Sequence, residues 1–485
     1  MVPMSEILGQ RTTSTSDCKP RRAAPAWAVL LAVCAGQFLV VLDVSVVNVA
    51  LPSMRSALGL GESAQQWVVN GYALTFAGFL LLGGRAADLF GRKRIFVAGL
   101  GLFTAASLAG GLAQNPTMLI TARAVQGLGS AILAPTTLSI LTTSFPEGPE
   151  RTRAIATWSA VGAGGGAAGS LVGGTLTDLL SWRWVLLVNV PVGAVVLVAA
   201  ALFLTEGRGT TVRRLDIPGA ILVTGGVAAL AYGIAETETH GWSSPHSLVP
   251  LVGGVLILAL FTAVEARAAQ PLVPLRLFTV RSVASANTVL FASGAATFAV
   301  WYFLSLYMQQ VLHYSPIKAG LSFLPHTIAI VAGSKLAPRL MSRLDSRLIV
   351  ACGGAISAVG LVWQSRVSAD GTFLGIILGP GILAMFGAGL MMTPVAAAAM
   401  SGVGRAEQGL VSGLLNTSRQ LGGALGLTIL ATTAASRITA RTQAGASTAS
   451  ALSSGYGLAF LVSAAFLAAA ACLAMLLPKP QPHEV

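Results

Sequence analysis

Long apolar runs recur along the chain, separated by short polar connections rich in Gly, Pro and Arg. Each run is long enough to cross ~30 Å of hydrocarbon as a helix. The pattern predicts helices at Trp27–Val49, Trp67–Leu82, Ile95–Ala113, Met118–Leu141, Ile155–Leu176, Val185–Leu204, Ile217–Ile234 and Leu248–Val264. It continues with Val283–Val311, Ile317–Leu336, Leu348–Trp363, Phe373–Met400, Leu410–Ala435 and Tyr456–Leu477. The class is an all-α membrane protein with about fourteen transmembrane helices.

Composition agrees. Only 10% of the 485 residues are charged and 54% are hydrophobic, whereas a soluble chain carries roughly 25% charged residues to face water. The net charge of +13 would suit nucleic acid, but the bases sit in short clusters between apolar runs, without interleaved aromatics on one face. The partner they imply is the lipid bilayer. With a cytoplasmic N-terminus, about 22 Lys and Arg fall inside and about 6 outside, the positive-inside bias. The inside clusters are Arg21/Arg22, Arg92–Arg94, Arg151/Arg153, Arg213/Arg214 and Arg339/Arg343/Arg347. An even helix count with both termini cytoplasmic follows. The longest polar connections are a tail, Met1–Pro25, then Arg267–Arg281 and Ser436–Ser454. The four cysteines lack metal or redox spacing, and no HExxH or G-x-S-x-G pattern occurs, so neither an enzyme nor a metal or other cofactor is expected.

Charge inside hydrocarbon is expensive, which makes an intramembrane acid a functional candidate. Of 17 Asp and Glu, Asp43 alone lies well inside a run, in VVLDVSVVNVALP. It is either half of a fixed salt bridge that orders the bundle or a carboxyl that alternates between protonated and ionised forms. Burial favours the neutral acid and a nearby cation the charged one. Arg123 sits at a matching depth: Asp43 is ~9 Å from the outer end of its run and Arg123 ~8 Å into its own. Arg123, Gln126 and Ser130 form one stripe at i, i+3, i+7. Gln37 and Asn48 share a face of the first helix that points away from Asp43, and they line a pathway or bond between helices. Asn416 and Arg419 recur at helical spacing in NTSRQLGGALG, with no second buried acid expected beside them. One acid against two arginines favours neutral or anionic compounds over dications. GGRAADLFGRKR, Gly83 to Arg94, reads as a loop joining the second and third helices, where acid and base can bond to helix ends. Paired glycines let helices approach closely, for static packing or for rocking.

At that loop a resemblance appears. GGRAADLFGRK is similar to the cytoplasmic loop signature of the major facilitator superfamily through Gly84, Ala87, Asp88, Gly91, Arg92 and Lys93, with Leu89 at a usual Arg position. LDVSVVNVALP resembles a signature of the fourteen-helix drug/proton antiporters, and RAVQGLG resembles their fourth-helix pattern. The antiporter glycine pattern is matched by Gly165, Gly169, Gly173 and Gly174, with Ser170 where Pro is usual. A faint echo of the loop recurs at Ser334–Arg343, as expected of two homologous halves.

The resemblance implies two pseudo-symmetric six-helix bundles, 26–207 and 269–478, flanking two inserted helices in 208–268, with cytoplasmic tails 1–25 and 479–485. It implies a monomeric exporter of small amphipathic drugs or antibiotics in the cytoplasmic membrane, driven by protons. Asp43 is then the proton-coupling carboxyl, Arg123 its counter-charge, and Gly84, Asp88, Gly91, Arg92 and Lys93 a conformational gate. Gln37, Asn48, Gln126, Ser130, Asn416 and Arg419 are the substrate-pathway candidates. Proton-coupled uptake of a small organic solute is the alternative.

Overall fold

The computed structural model describes residues 25–146, 148–206, 215–268, 271–404 and 407–478. The expected tails and the clusters Arg21/Arg22 and Arg213/Arg214 lie outside the described residues. The rest forms fourteen long helices. They are α1 (Ala26–Leu58), α2 (Glu62–Phe90), α3 (Arg92–Gly111), α4 (Pro116–Ser144), α5 (Pro149–Leu179), α6 (Trp184–Phe203) and α7 (Ile217–His240). There follow α8 (Pro245–Arg267), α9 (Arg281–Val311), α10 (Pro316–Met341), α11 (Ser346–Gln364), α12 (Phe373–Met400), α13 (Gln408–Gln443) and α14 (Thr448–Ala474).

Thirteen of them are long and apolar enough to cross a membrane. The exception, α5, has the length but is built largely of Gly, Ala, Ser and Thr. That composition suits close packing. An ideal Cβ on Gly169 would lie 2.6 Å from the Ser45 Cβ, and one on Gly173 2.7 Å from the Val46 carbonyl oxygen. A Cβ on Gly174 would meet the Pro316 carbonyl of α10. The glycines therefore hold α5 between α1 and α10 at backbone distance, and Gly165 lies against Phe38 of α1 in the same row.

Several helix ends depart from the apolar runs. α1 continues past Val49 through Pro52 to Leu58, where Gly59 adopts φ +63°. Asp43 therefore sits near the middle of α1 rather than close to its end. The expected polar connection Ser436–Ser454 is mostly helix, because α13 runs to Gln443 and α14 starts at Thr448. Hydropathy marks where lipid ends, whereas caps such as the Ser447 side chain, which accepts from Ser450 N, mark where the helix ends. GGRAADLF is likewise the last part of α2 and not a loop. Only Gly91, at φ +103°, separates α2 from α3, a conformation open to Gly at little cost.

Helices α1–α6 pack on one another, as do α9–α14, while α7 and α8 pair and α7 rests on α2 and α13. The two groups also meet directly. Ser305 Oγ of α9 donates to the Asn48 carbonyl (2.8 Å), and Gln309 Nε2 donates to that of Val49 (2.9 Å). Along α2 and α13, Asn70 Nδ2 donates to Thr428 Oγ1 at 2.8 Å.

The α1–α5 contact yields a stability test. Gly173→Leu should cost about 1–3 kcal/mol through overpacking and lower the unfolding temperature in detergent. Gly101→Leu, where an added Cβ has open space, should stay within roughly 0.5 kcal/mol of the parent. Equal unfolding temperatures for the two variants would contradict the packing.

Candidate functional site

Asp43 is completely buried and Arg123 is 2% exposed, so each must find its partners inside the protein. Arg123 Nη1 donates to Asp43 Oδ2 at 2.6 Å. Gln126, one turn further along α4, donates from Nε2 to Asp43 Oδ1 at 2.7 Å and to Ser107 Oγ at 2.8 Å. Its Oε1 accepts from Arg123 Nη1 at 2.5 Å. Asn189 of α6 adds a third donor to the carboxyl, Nδ2 to Oδ1 at 3.0 Å. Arg123 Nε donates to the Val68 carbonyl at 3.1 Å, and the guanidinium lies 4.4 Å from the centre of the Tyr72 ring. The Tyr72 hydroxyl continues the stripe by donating to Ser130 Oγ at 2.8 Å.

The cluster thus joins α1, α2, α3, α4 and α6 through one carboxylate. Three donors converge on it, an arrangement suited to the ionised form. A small cavity abuts the pair where the two helix groups meet, lined by Val44, Val69, Tyr72 and Arg123 on one side and by Phe298 and Gln420 on the other.

The pairing and the Arg123–Gln126–Ser130 stripe fall where the sequence places them. Gln37 and Asn48 stand apart from the cluster, as their helical phase requires. Gln37 is partly buried beside Gly162 of α5, and Asn48 donates to the Val44 carbonyl at 3.1 Å. Arg419 is also separate, with Nη2 3.3 Å from Asn416 Oδ1. Along this face of α13, Ser412 is exposed, Asn416 and Arg419 are partly buried, and Gly423 lies under the Phe298 ring. At the α2–α3 junction Arg92 pairs with Asp88 at 3.0 Å and donates from Nε to Ser139 Oγ of α4 at 2.7 Å. Lys93 Nζ reaches the Ala201 carbonyl of α6 at 2.7 Å, and Gly84 lies beside Pro135. These bonds stay within α1–α6.

Sequence reasoning missed Asn189, Ser107 and Tyr72. Asn189 carries a readable signal, a lone amide in the apolar run after SWRW. Ser107 and Tyr72 carry none, since Ser and Tyr are ordinary residues in such runs. The expectation of a single buried acid is corrected by Asp216 and Glu265, 8% and 2% exposed. Both lie at helix ends, as the sequence indicates, but the segment at residues 271–273 covers them. Asp216 accepts from Gly219 N (2.9 Å) and Leu272 N (3.3 Å), and Glu265 accepts from Val273 N at 3.4 Å. Arg85 of α2 is within electrostatic reach of both.

This architecture and buried ion pair are those of a multi-pass membrane transporter. Residues 33–427 match the Major Facilitator Superfamily, and the chain belongs to that family. It is 48% identical over 437 residues to the cephamycin export protein CmcT of Amycolatopsis lactamdurans, covering 89% of each chain. It is 41% identical to the puromycin resistance protein pur8 of Streptomyces alboniger, covering 85% of this chain and 82% of that one. Its fold is that of an inward-facing bacterial homologue of the human lysosomal transporter Spinster, at TM-score 0.66 and 18% identity over 93% of this chain and 96% of that one. It is also similar to the POT family transporter PepTSo, at TM-score 0.67 and 16% identity over 92% of this chain and 97% of that one.

Breaking one side of a buried pair leaves an uncompensated charge and costs about 3–5 kcal/mol. Arg123→Gln should therefore lower the unfolding temperature strongly, and adding Asp43→Asn should restore part of the loss. Additive losses in the double-mutant cycle would show that the two groups do not interact.

Proposed function

We propose that this protein exports small amphipathic drugs or antibiotics across the cytoplasmic membrane in exchange for protons, by alternating access. The observation that carries the reading is the buried Asp43–Arg123 pair, bonded into α1, α2, α3, α4 and α6 beside a cavity at the junction of the two helix groups. Protonation of Asp43 removes the charge that holds Arg123 and turns one oxygen into a donor. The convergent donors then lose an acceptor, and the helices they join are freed to repack. The cavity, about 10 Å³, has room for little more than a water, so a substrate reaches Tyr72 and Phe298 only once the two helix groups part, and there it acts on the same residues from the other side.

Export rather than uptake is supported by relatives named for export and for resistance. With both termini cytoplasmic, the α1–α9 bonds at Asn48 and Val49 lie toward the outer side, and the graded exposure from Ser412 to Gly423 opens inward. In this reading the units are 26–207, 208–268 and 269–478, and the protein works as a monomer. Gln37, Asn48, Gln126, Ser130, Asn416 and Arg419 border the substrate pathway. The Gly165–Gly174 row lets α5 rock on α1 and α10. Gly84, Asp88, Gly91, Arg92 and Lys93 set the balance between two conformations by bracing the α2–α3 junction on α4 and α6.

Asp43→Asn keeps the shape of the side chain but cannot carry a proton. In proteoliposomes it should reduce gradient-driven efflux to the ungradiented background while substrate binding persists; full gradient-driven efflux would remove Asp43 from coupling. Asp88→Asn should shift the two-state balance by a few kcal/mol and slow transport of every substrate by a similar factor. Loss of one compound with normal transport of others would place Asp88 in substrate recognition instead.

A further inference from the structure

Gln420 of α13 is 5% exposed, and its amide oxygen has no hydrogen-bond partner among the described residues. A buried acceptor left without a donor is costly, so a polar atom held in that position calls for a use. The helix around it is well bonded. About one turn before, Thr417 Oγ1 donates to the Ala77 carbonyl of α2 at 3.4 Å, and about two turns after, Thr428 Oγ1 accepts from Asn70 Nδ2 at 2.8 Å. Ala424, between them, packs with Ala73 and Leu74. This face of α13 is fixed on α2, and Gln420 borders the small cavity beside Arg123.

The same cavity is bordered by a donor with the opposite deficit. Arg123 donates from Nε to the Val68 carbonyl and from Nη1 to Asp43 and Gln126, while Nη2 has no acceptor among the described residues. A guanidinium has five N–H groups and can only donate. The cavity, about 10 Å³, admits about one water, so a bridging water or a small shift of either side chain joins the two. The rest of the wall is apolar apart from the Tyr72 hydroxyl, whose proton goes to Ser130 Oγ. The titratable groups facing Arg123 are Asp43 from α1 and Tyr72 from α2. Arg419, next to Gln420 in the chain, turns its guanidinium toward Asn416, and α9 brings only Phe298 to the cavity.

We propose that Gln420 is the acceptor to which Arg123 passes when Asp43 takes up a proton. The exchange trades a bond within α1–α6 for one between α4 and α13, and so carries the protonation state of the first helix group across the seam to the second. The inference rests on the proton-coupled reading above and adds to it the residue of the other helix group that responds. With Asp43 ionised, its charge outcompetes a neutral amide for the guanidinium, because bonds between two charged groups are the stronger. With Asp43 neutral, the carboxyl and the amide are comparable acceptors, and Gln420, short of a donor, takes the cation.

Infrared spectroscopy of substrate-free protein in lipid bilayers, titrated with acid, follows the carbonyl band of protonated Asp43. Gln420→Leu keeps the bulk of the side chain and removes the acceptor, so the protonated state loses a bond that the ionised state does not use. By linkage the midpoint of the band should fall by about one pH unit, a tenfold weaker hold on the proton. An unmoved midpoint would overturn the inference while leaving the coupling role of Asp43 in place, whereas a parent protein without the band would remove that role and the exchange with it. A stability measurement decides independently of titration. In detergent, Gln420→Leu should leave or raise the unfolding temperature of the parent, where the amide oxygen lacks a donor, and lower it in the Asp43→Asn background, where Arg123 has moved to it. The same shift in both backgrounds would contradict the exchange.

Discussion

A carboxylate without access to water must be solvated by the protein, and the bonds that tie α1, α2, α3, α4 and α6 together answer that demand on Asp43. Its two oxygens draw Arg123 and Gln126 from α4 and Asn189 from α6, while Gln126 reaches Ser107 of α3 and Arg123 reaches the Val68 carbonyl of α2. Such networks are cooperative, and a half-satisfied one costs more than an apolar core. Loss or neutralisation of the central charge is felt by every helix that contributes a bond. A buried ion pair adds little net stability over a well-packed apolar substitute. In a transporter, its use lies in having two states.

The second constraint is steric. The α5 interfaces are built with backbone instead of side chains, the kind of contact that the proposed two-state motion would close and part. The glycines of α5 bring α1 and α10 into contact on opposite sides, so α5 touches both the helix that carries Asp43 and a helix of the other group.

Much of this was legible in the chain. The fourteen predicted segments all fall on helices, and thirteen of those helices are apolar enough to cross a membrane, because crossing hydrocarbon leaves a strong linear signal. The Asp43–Arg123 pairing was legible too, since a lone intramembrane acid and a cation at matching depth leave few other solutions. Helix ends were not: Ser436–Gln443 and Leu51–Leu58 are helical beyond the apolar part, where caps and propensity decide. Nor were Asp216 and Glu265, which look solvent-facing in sequence but are buried against the start of α7 and the backbone at 272–273. Tyr72 and Ser107 enter the site through tertiary packing, which no local pattern records.

The central claim is that Asp43 changes protonation as the protein changes conformation. Infrared difference spectroscopy across a pH step, with and without bound substrate, observes the carbonyl stretch of a protonated carboxyl directly. The expected result is a band that appears on acidification, shifts or disappears on substrate binding, and is absent in Asp43→Asn. A spectrum with no Asp43-dependent band under any of these conditions, from protein that transports normally, would contradict the account.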